Sequence, residues 1–281
     1  MVDSQILLFF HVHSNSSIIG FMVKGLILGF LGAKGILLDR FIQEQHIKSI
    51  LKLLRPVASG HKMIRIGSNN DGGYIIPDVL DGIIACFSPG VATNSSFEWQ
   101  LAELGIECYL ADNSVEGPPQ EHPRFNFIKK HLSSVPSHNE VTLSDWINQN
   151  VNEGDLLLQM DIEGSEYSVI ASTSIEVLSR FRVIIIELHE FDSIVTTIGN
   201  LTVMNVLNRL LQNHSVIHVH ANNFGIPRKF QDKYIPRGIE VTFLRNDFIT
   251  GAGYTSELPN SLDQPNSLKY PDLVLDEKWF F

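Results

Sequence analysis

Cysteine is nearly absent from this chain. Cys86 and Cys108 are the only two, and both fall inside apolar runs that read as strands. The reading they support is a buried free thiol at each position, so cysteine usage leaves the compartment undecided. Positive charge is also scarce: 21 Lys and Arg stand against 31 Asp and Glu, a formal net charge of -10. That balance argues against nucleic acid as the main partner, because such binding relies on clustered cations to neutralise phosphates. No internal repeat and no low-complexity tract occurs. Hydrophobic segments recur along the whole length, which excludes wholesale disorder. A secretory signal with a basic start and a small-residue cleavage site is missing too.

At 281 residues the chain is long enough to bury a full core, and α/β domains of this size often form one unit. We expect one catalytic domain over 56–281, preceded by an N-terminal appendage over 1–55. Within that appendage, Ile18 to Leu38 is mostly apolar and Gly, long enough to cross a bilayer, though Lys24 and Lys34 interrupt it. It is a candidate membrane anchor, with an amphipathic or buried helix as the alternative. Arg40, Lys48, Lys52 and Arg55 follow, so a span here would leave the domain cytoplasmic. The sequons at Asn15, Asn94, Asn200 and Asn213 would matter only in a secretory lumen. Location therefore stays open, as does oligomeric state.

Later in the appendage, Phe41 to Leu54 carries apolar residues at Ile42, Ile47, Ile50, Leu51 and Leu54, a helical spacing that ends before Pro56. This predicts a helix docking on the domain. Arg65 to Pro77, with its Gly, Asn and Asp, predicts a loop feeding an edge strand or hairpin. Strands are then expected over 82–88, 107–112, 125–129, 155–161 and 181–187, with helices over 96–105, 143–151, 166–171 and 203–211. Two last strands, 216–220 and 239–244, have no helix-length pattern between them and predict an antiparallel pair. Near-continuous apolar strands alternating with helices mean a mostly parallel, doubly wound α/β sheet of seven strands, covered by helices on both faces.

Ligands of such a sheet sit at the carboxyl ends of the strands, where strand order reverses. After the first of these strands comes Ser88-Pro-Gly90, and the second ends in Asp112-Asn113. Asp112 stands 22 residues beyond Gly90, the rough spacing at which an acid accepts hydrogen bonds from a ribose diol. The loop holds no G-x-G-x-x-G, which a pyrophosphate would want. The choice moves from a dinucleotide toward a nucleoside without phosphates, as in S-adenosylmethionine. The fourth strand ends in Asp161-Ile-Glu163-Gly-Ser-Glu166 and the fifth in Glu187-Leu-His189. Asp161 is the first candidate for a catalytic group, with a helix cap as its bland alternative. Glu187 and His189 alternate onto one face of their strand, as do His218 and His220. These groups suit acid-base work. They could also hold a divalent metal, which is not expected, because no tight ligand spacing such as H-E-x-x-H occurs. Asp71, Tyr74, His220, Asn222, Asn223 and Arg245 are candidate acceptor contacts.

Asp161-Ile-Glu-Gly-Ser-Glu166 after an apolar strand, followed by Val183-Ile-Ile-Ile-Glu-Leu-His189, resembles the FkbM-type methyltransferases. Asp71-Gly-Gly-Tyr74, Asp112-Asn-Ser114, Trp146 and His218-Val-His-Ala-Asn-Asn223 resemble one branch of that family, and the likeness runs from Ile64 to Arg245. It implies a class I methyltransferase (Rossmann-like) fold, S-adenosylmethionine as donor, and O-methylation of a sugar, lipid or small-molecule acceptor. Carried over, Ser88, Gly90, Asp112, Asn113 and Asp161 would contact the donor, while Asp161, Glu163, Glu187 and His189 would stand at the reaction centre. Ser88-Pro89-Gly90 departs from the usual acidic-x-Gly-x-Gly loop. Two rival readings are a metal-dependent glycosyltransferase and a non-catalytic binding protein on a methyltransferase fold.

Overall fold

Aliphatic runs at 155–160 and 181–188 have no polar face to turn to solvent, so they can only be the middle of a sheet covered on both sides. In the computed structural model, which describes residues 30–31, 33–34 and 39–281, they are its two central strands. The candidate anchor over 18–38 lies almost entirely outside the described residues. Among those described, no helix is long and apolar enough to cross a membrane.

Helix α1 (Glu44–Leu53) buries Ile47, Ile50 and Leu51 on one face and packs against α6 (Thr197–Leu210). It starts three residues later than the apolar spacing suggested. Phe41 instead forms a β-bridge to Thr196 ahead of it. Strands β1 (Met63–Gly67) and β2 (Gly73–Pro77) make an antiparallel hairpin. Arg65 holds its turn from inside, donating from Nε to the Ser68 carbonyl and from Nη2 to that of Asn70.

The main sheet contains β3 (Ile83–Pro89), β4 (Glu107–Ala111), β5 (Phe125–Ile128), β8 (Asp155–Met160), β9 (Phe181–Leu188), β10 (His214–Asn222) and β13 (Gly238–Arg245). Their order across it is β10-β13-β9-β8-β3-β4-β5. The chain runs outward from β3 to β5, then returns to place β8 on the other side of β3. Six of the seven strands point the same way, β3, β4, β5, β8 and β9 pairing in parallel, and β13 runs antiparallel to both of its neighbours, β9 and β10. The expected closing pair exists, but β13 sits inside the sheet and β10 takes the edge. Between them lies a hairpin of β11 (Arg228–Phe230) and β12 (Lys233–Ile235). Two short pieces, β6 (His131–Leu132) and β7 (Glu140–Val141), pair with each other.

Alternation along the strands divides the core. Phe87, Leu158, Ile184 and Ile186 join Trp146 of α3 (Leu143–Asn150), Ile170 of α4 (Glu166–Ser172) and the faces of α1 and α6. On the other side, Cys86, Cys108, Leu157, Val183 and Ile185 meet Phe97 and Leu101 of α2 (Ser96–Glu103) together with Tyr74 and Ile76 of the hairpin. That second face is thus covered by one helix and a hairpin. Both cysteines are free and buried, side by side in register. The short helix α5 (Ile175–Leu178) leads into β9.

Candidate active site

Strand order reverses between β3 and β8, and the carboxyl ends of β4, β3, β8 and β9 meet along one edge. Gly90 makes this meeting close. Its φ is +89°, and a Cβ there would stand 1.6 Å from the Asp161 carbonyl oxygen. Only a residue without a side chain lets the loop after β3 lie against the backbone after β8. Ala92 follows, also left-handed at φ +43°. Its N–H donates to Asp112 Oδ2 at 2.9 Å, while Ser114 donates to Oδ1 from its N–H (2.7 Å) and hydroxyl (2.6 Å). Burial works against the charge of Asp112, but these hydrogen bonds outweigh it and hold the carboxyl below its ordinary value.

After β8 the chain turns through Asp161, Ile162 and a left-handed Glu163 (φ +56°) into α4. Glu166, fully buried, organises that turn: its Oε1 accepts from Ile162 N (3.0 Å) and Gly164 N (3.2 Å). The same oxygen lies 2.9 Å from His189 Nδ1. An oxygen that already accepts two backbone N–H groups is an acceptor here as well, so Nδ1 carries a proton and donates. Nε2 then faces Glu163 Oε2 at 3.5 Å, and Asp161 Oδ1 and Glu187 Oε1 at 3.7 Å each. Glu187, 4% exposed, is held by Asn222 Nδ2 at 2.6 Å.

Burial pushes the Asp161 carboxyl up to about 7; His189 draws it down, while Asp71, Glu163 and Glu166 push it further up. His189 moves up to about 9, since Glu166 and the carboxylates of Glu187 and Asp161 outweigh the desolvation that opposes its charge. Burial, followed by Asp161 and Glu240, raises Glu187 well above the usual carboxylate range. One oxygen of each of Asp161 and Glu187 and one nitrogen of His189 lie within 4.8 Å of one another.

Two cavities open on this edge. The larger, about 530 Å³, is lined by Asp161, Glu187, His189, Asn222, Phe224 and Gly238, among others. The smaller, about 90 Å³, has Gly90, Ala92, Tyr74, Glu98 and Gln159 in its wall. Asp71, at the tip of the β1–β2 turn, and Asp161 belong to both. Behind the smaller cavity runs a buried polar chain. Ser88 Oγ lies 2.5 Å from Glu98 Oε1 and 2.6 Å from Gln159 Oε1, and Gln159 Nε2 donates to the Tyr74 hydroxyl at 2.9 Å. Burial pushes the Glu98 carboxyl up, and among the described residues its Oε2 is buried without a hydrogen-bond partner.

A family profile described as the methyltransferase FkbM domain matches residues 61–213, more than half of the chain. The chain belongs to this family. Among solved structures it is similar to WbdD, in a complex with the kinase inhibitor LY294002 and in a second crystal structure. Identities are 11% and 12% and TM-scores 0.32 and 0.31, over 58% of this chain and 36% of WbdD in both cases. The chain thus spans about a third of the length of those proteins. No curated protein matches it.

The residues singled out from the sequence separate into three groups. Gly90, Asp161, Glu163, Glu187, His189, Asp71, Tyr74 and Asn222 line the two cavities. Asp112 stands one hydrogen bond from the loop at Ala92, with Asn113 half-exposed beside it, and Ser88 is fully buried with its hydroxyl turned into the polar chain. The rest serve the segment after β13 or the far end of the sheet. His218 and His220 do share a face, but it meets Asp263, at 2.9 and 3.6 Å. Asn223 is tied to Ser267 and Tyr270. Arg245 pairs with Asp155 at the opposite end of the strands. Glu166, Glu98 and Gln159 escaped the sequence reading. Glu166 closes the acidic motif and could have been found there. Glu98, a carboxylate between Phe97 and Leu101 on a helix, gave a weaker sign.

Proposed function

We propose that this chain is an S-adenosylmethionine-dependent O-methyltransferase of class I, Rossmann-like architecture, acting on a hydroxyl of a small-molecule, lipid or glycan acceptor. The strand order, with a single antiparallel strand one place in from the edge, supports that architecture. The observation that carries the reading is the pair of cavities with Asp161 and Asp71 as common walls. Two ligands placed in them approach each other at the tip of β8. Proximity of that kind is most of what transfer from an already activated donor requires.

The residues fit the donor on two counts. Gly90 and Ala92, with little or no side chain, line the smaller cavity, and the orphaned buried oxygen of Glu98 in the same wall calls for a cationic or hydrogen-bond-donating partner. Gly90, Ala92 and Glu98 would hold the amino-acid end, with its ammonium group, and Asp112 the ribose diol. Bound there, S-adenosylmethionine supplies a methyl group on a sulfonium sulfur. The acceptor would occupy the larger cavity against Asn222, Phe224 and Gly238, which lie beyond the stretch shared with the FkbM profile. Its hydroxyl proton would pass to the Asp161, Glu187 and His189 cluster as the oxygen takes the methyl.

Calorimetric titration with S-adenosylhomocysteine tests the donor half. We expect binding at a single site, weakened at least tenfold, about 1.4 kcal/mol, by Asp112→Ala. Unchanged affinity in a folded Asp112→Ala protein would count against the assignment. Transfer of labelled methyl to a panel of glycans and lipids then identifies the acceptor.

A further inference from the structure

We propose that Asp161, Glu187 and His189 form a binding site for one divalent cation facing the larger cavity, where an acceptor oxygen would complete its coordination. The sequence did not lead us to expect a metal, since the three ligands come from two strand ends and share no tight spacing.

The first support is distance. His189 Nε2 stands 3.5 to 3.7 Å from oxygens of three carboxylates, too far to hydrogen-bond to any of them. Ligand atoms about 2.1 Å from a common ion lie roughly 3 to 4 Å apart. The separations seen here match an ion between them better than direct pairing.

The second support is the surrounding shell. Glu166 Oε1, buried and already fixed by Ile162 N and Gly164 N, takes the Nδ1 proton of His189. That fixes Nδ1 as the donor and aims Nε2 at the carboxylates, as the outer carboxylate of a metal-bound histidine does, and an ion bound there would displace the Nε2 proton. Asn222 does the same for Glu187: it occupies Oε1, while among the described residues no hydrogen bond takes the other oxygen of this 4% exposed side chain. Gly238 makes room, since a Cβ there would come within 2.7 Å of Glu187 Oε1.

The third is charge. Asp71, Asp161, Glu163, Glu187 and Glu190 line a cavity whose cationic side chains are His189 and Arg237. Two carboxylates and an imidazole suit Mn²⁺ and neighbouring transition ions better than Mg²⁺ or Ca²⁺, which favour oxygen alone. With three protein ligands, coordination positions remain open toward the cavity. A hydroxyl bound there would become more acidic, and its proton, which the three ligands would not take with the ion in place, would pass to Glu163 or Asp71 in the same cavity wall. This role of the ion rests on the cavity being the acceptor's; the binding of the ion does not.

The experiment is a Mn²⁺ titration of the full chain, stripped with chelator and desalted, followed by the electron paramagnetic resonance of free Mn²⁺. One site per chain is expected. Asp161→Asn and His189→Ala should each weaken it more than tenfold, Glu166→Gln about tenfold, and Asp263→Asn not at all. Pulsed measurements on the wild-type protein should show coupling of Mn²⁺ to one imidazole nitrogen, which does not depend on any variant folding. Absence of binding at millimolar Mn²⁺, absence of the nitrogen coupling, or full affinity in folded Asp161→Asn and His189→Ala each overturns the proposal. A titration with S-adenosylhomocysteine in chelator reports on the donor site separately, so failure of either idea is seen without the other.

Discussion

Glu98 and Glu166 are both buried carboxylates of short helices, each with one oxygen left without a hydrogen-bond partner among the described residues, yet they differ in what the other oxygen holds and in where the spare one stands. Glu166 gathers three donors on one oxygen and thereby fixes the turn that carries Asp161 and the ring of His189. Glu98 has one partner, Ser88, and an oxygen left over beside the smaller cavity. An unsatisfied buried acceptor costs roughly 1 to 3 kcal/mol, which a bound ammonium group would return. Glu98→Gln should therefore weaken S-adenosylhomocysteine binding by about tenfold or more in calorimetry while leaving the melting temperature the same or higher. Equal affinity in the two proteins would remove Glu98 from the donor site. The place of Asp112 at the end of β4, beside the loop after Gly90, was by contrast legible, because a strand end followed by a polar loop can be located without knowing what packs on it.

At the scale of elements, the site depends on how closely β3 and β8 approach at their carboxyl ends. Pro89 and Asp161 are linked by a long hydrogen bond, Asp161 N to Pro89 O at 3.4 Å, and Gly90 N donates to Ala111 O at 3.0 Å. The loop after β3 is thus held between the ends of its two neighbours. Gly90→Ala must either change φ or push the turn after β8 away, since the new Cβ would meet the Asp161 carbonyl. We expect a loss of at least about 2 kcal/mol in urea denaturation and loss of S-adenosylhomocysteine binding. A variant with normal stability and binding would show that the two strand ends are not rigidly coupled. The helices and strands that make this junction were readable because their apolar periods are local: Val183 to Ile186 is an unbroken β-branched run, and the strand around it, 181–188, is buried throughout. The order of β10 and β13 was not readable, since both are apolar and either could have formed the edge.

Across the whole molecule, the segment after β13 ties the site to the rest of the chain. Asp263 meets His218 and His220, Asn266 donates to Glu240 Oε1 at 2.5 Å, and Trp279 and Phe280 are buried. Burial pushes Glu240 from an ordinary 4.5 to about 8; Asn266, the next largest influence, opposes the rise. The folded protein therefore retains a proton that the unfolded chain has released, and stability falls as pH rises from about 4.5 to about 8, then levels. Glu240→Gln keeps an acceptor for Asn266 and lacks that slope. Its unfolding free energy should exceed the wild type by a margin that grows across this window to the order of a few kcal/mol; a margin independent of pH would show that Glu240 titrates normally. The sequence alone determined the alternation of strands and helices, and with it the edge on which Gly90, Asp112, Asp161 and His189 would stand, because hydrophobic period and strand direction are local properties. It could not distinguish His189 from His220, both one residue removed from another polar side chain on the same face. Only tertiary packing decided that His189 opens on a cavity while Asp263 meets His220, because that choice depends on contacts between residues far apart in the chain.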